Sequence, residues 1–180
     1  MIYCFLAEGF EEVEALTPVD ILRRCGKEVV TVGIGEEVIT GAHGISVCTD
    51  ITEVELVPDD EIEMIILPGG MPGTLNLEKS RTVQDAIDYC VENDKYIAAI
   101  CAAPSILGHK HLLDGKKATC FPGFEDQLYG AVLTGEKVVV ADKIITAKGA
   151  GAAMEFGLKL AEILCGKARA DKLAASMQWN

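Results

Sequence analysis

Short apolar runs alternate with stretches of helical periodicity along the whole chain. The apolar runs predict strands at residues 2–6, 28–32, 64–67 and 96–100, one near 118–121, and a hairpin over 137–147. Residues 37–48 predict one or two shorter antiparallel strands around Gly41 and Gly44. Strands that alternate with helices along a sequence indicate an α/β domain with a mainly parallel sheet.

Helix signals fill the intervals between these strands. The first helix is predicted to begin at Thr17, which can cap it, with Pro18 in its first turn and Gly26 after its last turn. A single helix over 77–93 is predicted from apolar residues at helical spacing, including Val83 and Ile87. Two more helices are predicted, one over 152–164 before Gly166 and a short one in the tail from Lys167.

Three turns with chemically useful residues follow predicted parallel strands. They are residues 7–14, 68–70 and 101–103. In open α/β sheets, ligands bind outside the carboxyl ends of the strands. We therefore expect a functional site among these turns.

Cys101 lies where a strand-like run changes at once into a helix-like pattern. This is the layout of a nucleophile elbow, in which the sharp reversal leaves room only for small residues, here Ala99 and Ala103. A thiol at a helix N-terminus loses its proton readily, so the pattern predicts a thiol pKa lowered from roughly 8.5 to about 5. The alternative is a small buried cysteine at a strand end.

Two backbone amides near Cys101 are candidate oxyanion donors. Gly70 follows a central strand, where a glycine lets the backbone approach a ligand closely, and Ala102 follows the cysteine directly. Aligned together, they would stabilise a developing negative oxygen. An ordinary turn at the end of a strand explains Gly70 as well.

The composition limits the expected number of domains and the expected classes of partner. The 180 residues contain no Pro/Gly/Ser-rich linker or repeat, which favours a single domain over residues 1–180. Apolar content of 49% is somewhat high for a monomer, and a buried dimer face would account for it. A formal net charge of −12 disfavours nucleic acid and anionic membranes as partners.

The seven cysteines are scattered, without a C-x-x-C pair or a cysteine–histidine spacing suited to zinc. They are predicted to be reduced thiols, with no metal site. With no apolar stretch long enough to span a bilayer, the expectation is a cytoplasmic protein.

Four ordered segments resemble one known family. They are Gly9-Phe-Glu-Glu-Val-Glu14, Leu67-Pro-Gly-Gly70, Ala98-Ala-Ile-Cys-Ala-Ala-Pro104 and Lys148-Gly-Ala-Gly151, and they resemble the ThiJ/PfpI superfamily, in its Parkinson's-associated deglycase and chaperone branch. The resemblance implies a flavodoxin-like three-layer sandwich, a homodimer and no cofactor. It also implies that Cys101 is the nucleophile, that Glu14 is its acidic partner, and that Gly70 and Ala102 form the oxyanion site.

Glu14 can assist a thiolate only if the carboxyl group carries the proton. Burial would raise the pKa of Glu14 and leave a neutral acid that donates a hydrogen bond to the sulfur of Cys101, or to its sulfinate. The alternative is a solvated carboxylate in the first turn of a helix.

Departures from other branches of the superfamily narrow the chemistry. Protease-like relatives carry a histidine directly after the nucleophile, where this chain has Ala102, so proteolysis is disfavoured. Phe121 stands where human-type deglycases have a histidine, which predicts a drier site.

His43 stands where some relatives have an arginine near the sulfinate pocket, and it is a further candidate site residue, although an exposed loop histidine is the simpler interpretation. Cys48 matches a second cysteine often found near the family's dimer interface, with a buried strand thiol as the alternative.

Two functions of different classes follow from these residues. The first is a glyoxalase or protein deglycase in which Cys101 adds to a 2-oxoaldehyde or its early protein adduct while Glu14 moves a proton. The second is a non-enzymatic redox sensor and chaperone that acts through Cys101 oxidation. A role in thiamin (thiazole) biosynthesis rests only on a label attached to similar sequences.

Overall fold

The computed structural model describes residues 1–56 and 61–179. The strands are β1 (Ile2–Leu6), β2 (Val29–Gly33), β3 (Val38–Thr40), β4 (Ser46–Cys48), β5 (Ile51–Thr52), β6 (Met64–Leu67), β7 (Tyr96–Ile100), β8 (Lys117–Ala118), β9 (Val132–Leu133), β10 (Val138–Ala141) and β11 (Ile144–Ala147). The α-helices are α1 (Glu12–Arg24), α2 (Gly73–Lys79), α3 (Arg81–Glu92), α4 (Pro104–His109), α5 (Ala153–Cys165) and α6 (Lys167–Ser176).

The main sheet has the strand order β10-β11-β7-β6-β1-β2-β5. All neighbouring strands in it are parallel except the β10–β11 hairpin. This confirms the predicted α/β class with a mainly parallel sheet. The strands β3 and β4 form a separate antiparallel pair, as the glycines at 41 and 44 suggested.

Side chains alternate between the two faces of the sheet and build a core on each. In β1, Tyr3 and Phe5 join one cluster with residues of α3, while Cys4 and Leu6 join the other with residues of α1 and α5. Because β1 and β6 are covered on both faces, their sequences are apolar throughout rather than alternating. The result is the three-layer sandwich that the resemblance implied.

The first helix begins earlier than predicted. It starts at Glu12 rather than Thr17, and Pro18 lies inside it. Acidic side chains favour a helix N-terminus, and Glu12 and Glu14 occupy the first turn. The prediction was wrong because Pro18 was given the position of a helix start, whereas its ring is accommodated within the helix.

The single helix predicted over 77–93 is two helices. Ser80 has an extended backbone between α2 and α3, and its hydroxyl accepts a hydrogen bond from the amide of Val83. A serine cap of this kind satisfies a free amide of the new helix and makes the break stable.

The strand predicted near 118–121 is shorter than expected and is not part of the main sheet. Only β8 forms, and it pairs with β9 in a small parallel sheet. The next amides leave the strand direction, because Thr119 donates to the Thr146 hydroxyl and Phe121 donates to the Cys101 carbonyl.

The carboxyl-terminal predictions are confirmed. The β10–β11 hairpin forms, α5 ends before Gly166, whose φ is 86°, and α6 follows. Within the described ranges, no helix combines the length and apolar character needed to cross a bilayer.

Candidate active site

The three turns singled out in the sequence lie together at one edge of the sheet. They follow β1, β6 and β7, which are neighbours in the strand order. Gly69 lies at their centre, since a Cβ placed on it would be 2.6 Å from Cys101 Cβ and 2.6 Å from Glu14 Oε2. The structure therefore brings Glu14, Gly70 and Cys101 into one site.

Cys101 occupies a sharp turn between β7 and α4. Its φ is 66°, a left-handed conformation that a non-glycine residue adopts at a cost. Its amide donates to the Ala147 carbonyl at 2.9 Å, which ties the turn to β11. Ala99 and Ala103 are fully buried, as the cramped positions of an elbow require.

Glu14 is a buried carboxyl group beside the cysteine. Its side chain is only 1% exposed, it is hydrogen-bonded to Cys101, and its Oε2 accepts the Gly69 amide at 2.9 Å. Burial raises the pKa of Glu14 to about 7, and the hydrogen bonds from Cys101, Gly69 and Ala150 limit that rise. The alternative of a solvated first-turn carboxylate is excluded by this burial.

The Cys101 thiol is not the acidic thiol that the sequence predicted. Burial, followed by the neighbouring Glu14 carboxylate, raises its pKa to about 12, while the amides of Gly70 and Ala102 act to lower it. The prediction was wrong because α4 begins only at Pro104, so its dipole does not outweigh desolvation and the adjacent negative charge. With the proton on Glu14, the same contact becomes a hydrogen bond donated to sulfur.

Gly70 and Ala102 direct backbone amides at the Cys101 sulfur. Gly70 has a φ of 89°, and a Cβ there would lie 2.4 Å from the Glu11 nitrogen and 2.6 Å from the Gly9 carbonyl oxygen. Only glycine fits this position, both for its backbone conformation and for the space around it.

His43 lies beside α1 and is engaged by acidic residues. Its Nδ1 is 2.9 Å from Glu12 Oε2 and 3.3 Å from Glu11 Oε2, and its amide donates to Glu12 Oε1 at 2.8 Å. The hydrogen bond with Glu12, followed by the charge of Glu11, raises the pKa of His43. The ring is exposed, as expected, but it contacts Glu11 and Glu12, the acidic residues that precede Glu14.

The Glu11, Glu12 and His43 side chains also have the geometry of a metal-ligand group, since their donor atoms lie within 4.8 Å of one another. The sequence prediction of no metal site overlooked this cluster, because its members become neighbours only when residues 41–45 fold against α1. In the structure the Glu12 carboxylate is hydrogen-bonded to the His43 ring and to the amides of His43 and Ile45, and Glu11 Oε2 lies 3.3 Å from His43 Nδ1.

Phe121 forms an aromatic wall near the site. Its ring is 3.1 Å from a Cβ placed on Gly149, and that same Cβ would lie 3.8 Å from Glu14 Oε1. Phe121 and Gly149 line a cavity of about 420 Å³ together with Pro122, Lys137, Lys148 and residues 150–152. The chain's remaining histidines contact other groups, His109 with Glu78 and His111 with Asp114.

One feature of the site was missed in the sequence, and the structure excludes one alternative for Cys48. Gly69 and Ala150 supply amides to Glu14, and neither has a side-chain signal that marks such a role. Cys48 is exposed on β4, near Glu37, rather than a buried strand thiol.

Comparisons with known proteins find one family profile and several similar chains. The profile of the DJ-1/PfpI family matches residues 1–163. Protein dj-1beta of Drosophila melanogaster is 35% identical over 175 residues, which cover 96% of this chain and 93% of that protein. Glutathione-independent glyoxalase DJR-1.2 of Caenorhabditis elegans is 32% identical over 168 residues, which cover 92% of this chain and 89% of that protein.

Solved structures show the same arrangement of the chain. The structure of oxidized Toxoplasma gondii DJ-1 superimposes with a TM-score of 0.91 at 35% identity, covering 99% of this chain and 97% of that one. The chain spans only 40% and 44% of the length of the two Arabidopsis thaliana relatives, DJ-1 homologs B and A.

Proposed function

The chain belongs to the DJ-1/PfpI family, and from that membership we propose that it is a cysteine-dependent glyoxalase or protein deglycase. Its substrates are 2-oxoaldehydes, such as methylglyoxal, or their early adducts on protein groups. One observation carries the proposal: Cys101 is hydrogen-bonded to a buried Glu14 and faces the amides of Gly70 and Ala102. The name of the C. elegans relative, a glutathione-independent glyoxalase, supports it.

The first step forms a bond between Cys101 Sγ and the aldehyde carbon. The thiol proton passes to the carbonyl oxygen through Glu14, so the product is a hemithioacetal. The amides of Gly70 and Ala102 stabilise the oxygen while it carries negative charge. No other reactant is consumed in this step.

The second step moves hydrogen between the two substrate carbons. The Glu14 carboxylate removes the proton from the former aldehyde carbon and returns it to the neighbouring carbon, which converts the hemithioacetal into a thioester of the 2-hydroxyacid. Water then cleaves the C–S bond, releasing the hydroxyacid and restoring the thiol. A general acid and base works best when its pKa lies near the working pH, and the pKa of Glu14 is raised to about 7.

Replacement of the nucleophile tests this proposal. Cys101→Ala should lower methylglyoxal loss and lactate formation by about two orders of magnitude or more, because no C–S bond can form. Cys90→Ser, which changes a buried thiol in α3, is the control and should retain turnover. Unchanged lactate formation in Cys101→Ala would refute the mechanism.

A redox sensor with chaperone activity is the second candidate, favoured by the same donors. A Cys101 sulfinate would accept hydrogen bonds from protonated Glu14 and from the amides of Gly70 and Ala102. After mild peroxide treatment, mass spectrometry should find two added oxygens on Cys101 before the other cysteines. Equal oxidation of all seven thiols would argue against sensing.

We propose that the protein acts as a homodimer of single-domain chains in the cytoplasm. Exposed apolar side chains support a dimer face, with Val13 and Leu16 on α1 and Ile45 in the turn that contacts Glu12. The net charge of −12 supports small aldehydes or glycated proteins, rather than nucleic acid or membranes, as partners.

A further inference from the structure

Helices α1 and α5 run side by side on one face of the sheet. They approach closely at Gly157, where an added Cβ would lie 2.6 Å from Ile21 Cδ1 and 3.1 Å from Pro18 Cα. Cys25, directly after α1, lies about two turns beyond Pro18, and Cys165, the last residue of α5, lies about two turns beyond Gly157. Positions two turns apart share a helix face, so both cysteines continue the same contact.

The two sulfur groups meet at that point. The side chain of Cys165 is within hydrogen-bonding reach of the Cys25 side chain. Cys25 belongs to the core cluster on this face of the sheet, and the partly buried Cys165 packs against that cluster. Both are free thiols. Glu14 lies in the first turn of α1, whereas Cys25 directly follows its last turn. The cysteine pair is therefore separate from the Cys101 site.

Basic side chains lie beside Cys25. Burial, followed by the neighbouring Cys165, raises the pKa of Cys25, and Arg169 of α6, which is hydrogen-bonded to Cys25, acts to lower it. The Arg169 Nη2 would lie 3.3 Å from a Cβ on Gly26. Cys25 lines a cavity of about 510 Å³, together with Arg24, Ala168, Arg169, Lys172, Leu173 and Ser176. In a chain of net charge −12, this is a local concentration of positive charge beside two thiols.

We propose that Cys25 and Cys165 are a second redox site, which forms a reversible disulfide when the protein meets a hydroperoxide. Cys25 faces the cavity and is the thiol that reacts first. Arg169 stabilises its thiolate, and the neighbouring Cys165 resolves the oxidised product.

The reaction balances in two steps with hydrogen peroxide as the oxidant. The Cys25 sulfur attacks one peroxide oxygen, the O–O bond breaks, and sulfenic acid and water form. The Cys165 sulfur then attacks the sulfenic sulfur, forming the S–S bond and releasing a second water. The thiols together lose two electrons and two protons, and peroxide is reduced to water.

Formation of the disulfide would fasten α1 to the end of α5. The bond closes a loop from residue 25 to residue 165, and long closed loops reduce the freedom of the unfolded chain most. The oxidised protein should therefore resist urea better than the reduced protein.

The test uses the full-length protein, treated with dilute hydrogen peroxide, quenched by alkylation and digested without reduction. Mass spectrometry should find the Cys25 and Cys165 peptides linked, lighter by two hydrogens than their sum and separable by dithiothreitol. The linked pair should persist in Cys101→Ser and in the control Cys90→Ser, and be absent in Cys165→Ser. Arg169→Gln should slow its formation about three- to tenfold, because the thiolate is less populated.

The outcomes separate this proposal from the proposed function. If Cys25 and Cys165 stay fully alkylatable while Cys101 oxidises, the disulfide proposal is overturned and the role of Cys101 stands. If the linked peptide forms but Cys101→Ala retains turnover, the disulfide proposal stands and the proposed catalytic role of Cys101 is overturned. The urea midpoint of the wild-type protein should rise on oxidation, and an unchanged midpoint together with an absent linked peptide would also overturn the proposal.

Discussion

Glu14 and Cys101 share a buried position in which a second negative charge is costly. The pKa of each group is raised, with burial as the largest cause. The Glu14 carboxylate further raises the pKa of Cys101, whereas the hydrogen bond from Cys101 acts to lower the pKa of Glu14. Near neutral pH the pair therefore carries at most one negative charge. This is the residue-scale basis of both proposed activities.

The sign of the Glu14 contribution to stability follows from its pKa. The pKa of about 7 exceeds the ordinary value of 4.5, so between these pH values the folded state holds a proton that the unfolded state has lost. Stability contributed by this group is thus greatest below about pH 4.5 and falls as pH rises toward 7, by about 3 kcal/mol in total.

Glu14→Gln should remove that dependence, because an amide does not ionise. Urea unfolding at pH 5 and pH 7.5 should show wild type losing about 2 kcal/mol relative to the variant across this interval. Glu36→Gln, at an exposed position, is the control and should follow the wild type. Parallel curves for wild type and Glu14→Gln would show that the carboxyl group is not buried in solution.

Sequence reasoning predicted the positions of the candidate site residues better than their ionisation. Ala99 and Ala103 indicated the elbow because the constraint is local and steric. The predicted pKa of Cys101 was wrong because this pKa depends on burial and on Glu14. Glu14 follows β1 and Cys101 follows β7, so the sequence around the cysteine indicates neither effect.

Among the helices, the break at Ser80 shows how a single cap decides an element. Its hydroxyl accepts the Val83 amide at 3.3 Å and lies 3.2 Å from Glu53 Oε2. Without this acceptor, the first turn of α3 would contain an unsatisfied amide in a buried setting.

Ser80→Ala should lower the free energy of unfolding by about 1 kcal/mol, the usual cost of removing an N-cap. Chemical denaturation monitored by circular dichroism measures it. Ser80→Thr retains a hydroxyl and should recover most of the loss. Equal stabilities of Ser80→Ala and wild type would mean that the break depends on packing rather than on the cap.

Strands were predicted more accurately than helix ends for a physical reason. A strand buried on both faces must be apolar at every position, as β1 and β6 are. The ends of the apolar run therefore indicate the ends of the strand. A helix end depends on competing caps and contacts. The start of α1 at Glu12 was missed because Pro18 was given the position of a helix start, and the break at Ser80 was missed because the apolar periodicity continues across it.

For the whole molecule, the distribution of exposed apolar groups bears on assembly. Val13 is 48% exposed and Ile45 is 56% exposed, and both lie near the start of α1 with Leu16. Neighbouring apolar groups of this kind are typical of an interface between protein chains. They support the proposed homodimer.

Light scattering should give a wild-type mass near twice 19.2 kDa, and Leu16→Lys should shift the population toward 19.2 kDa by weakening association about tenfold or more. Val91→Lys introduces the same charge at a 48% exposed position on α3, across the sheet, and should remain dimeric. A wild-type protein of single-chain mass would refute the dimer.

The hydrogen bond from the Cys101 amide to Ala147 has a consequence for biosynthesis. β7 acquires its outer neighbour β11 only when residues 144–147 have been made, and Glu14 receives the Ala150 amide later still. A ribosome-bound chain that ends before these residues has the cysteine and the glutamate but not the turn that fixes them. The candidate site is therefore complete only after residues 144–150, which follow both Glu14 and Cys101 in the chain, have been translated and have folded against it.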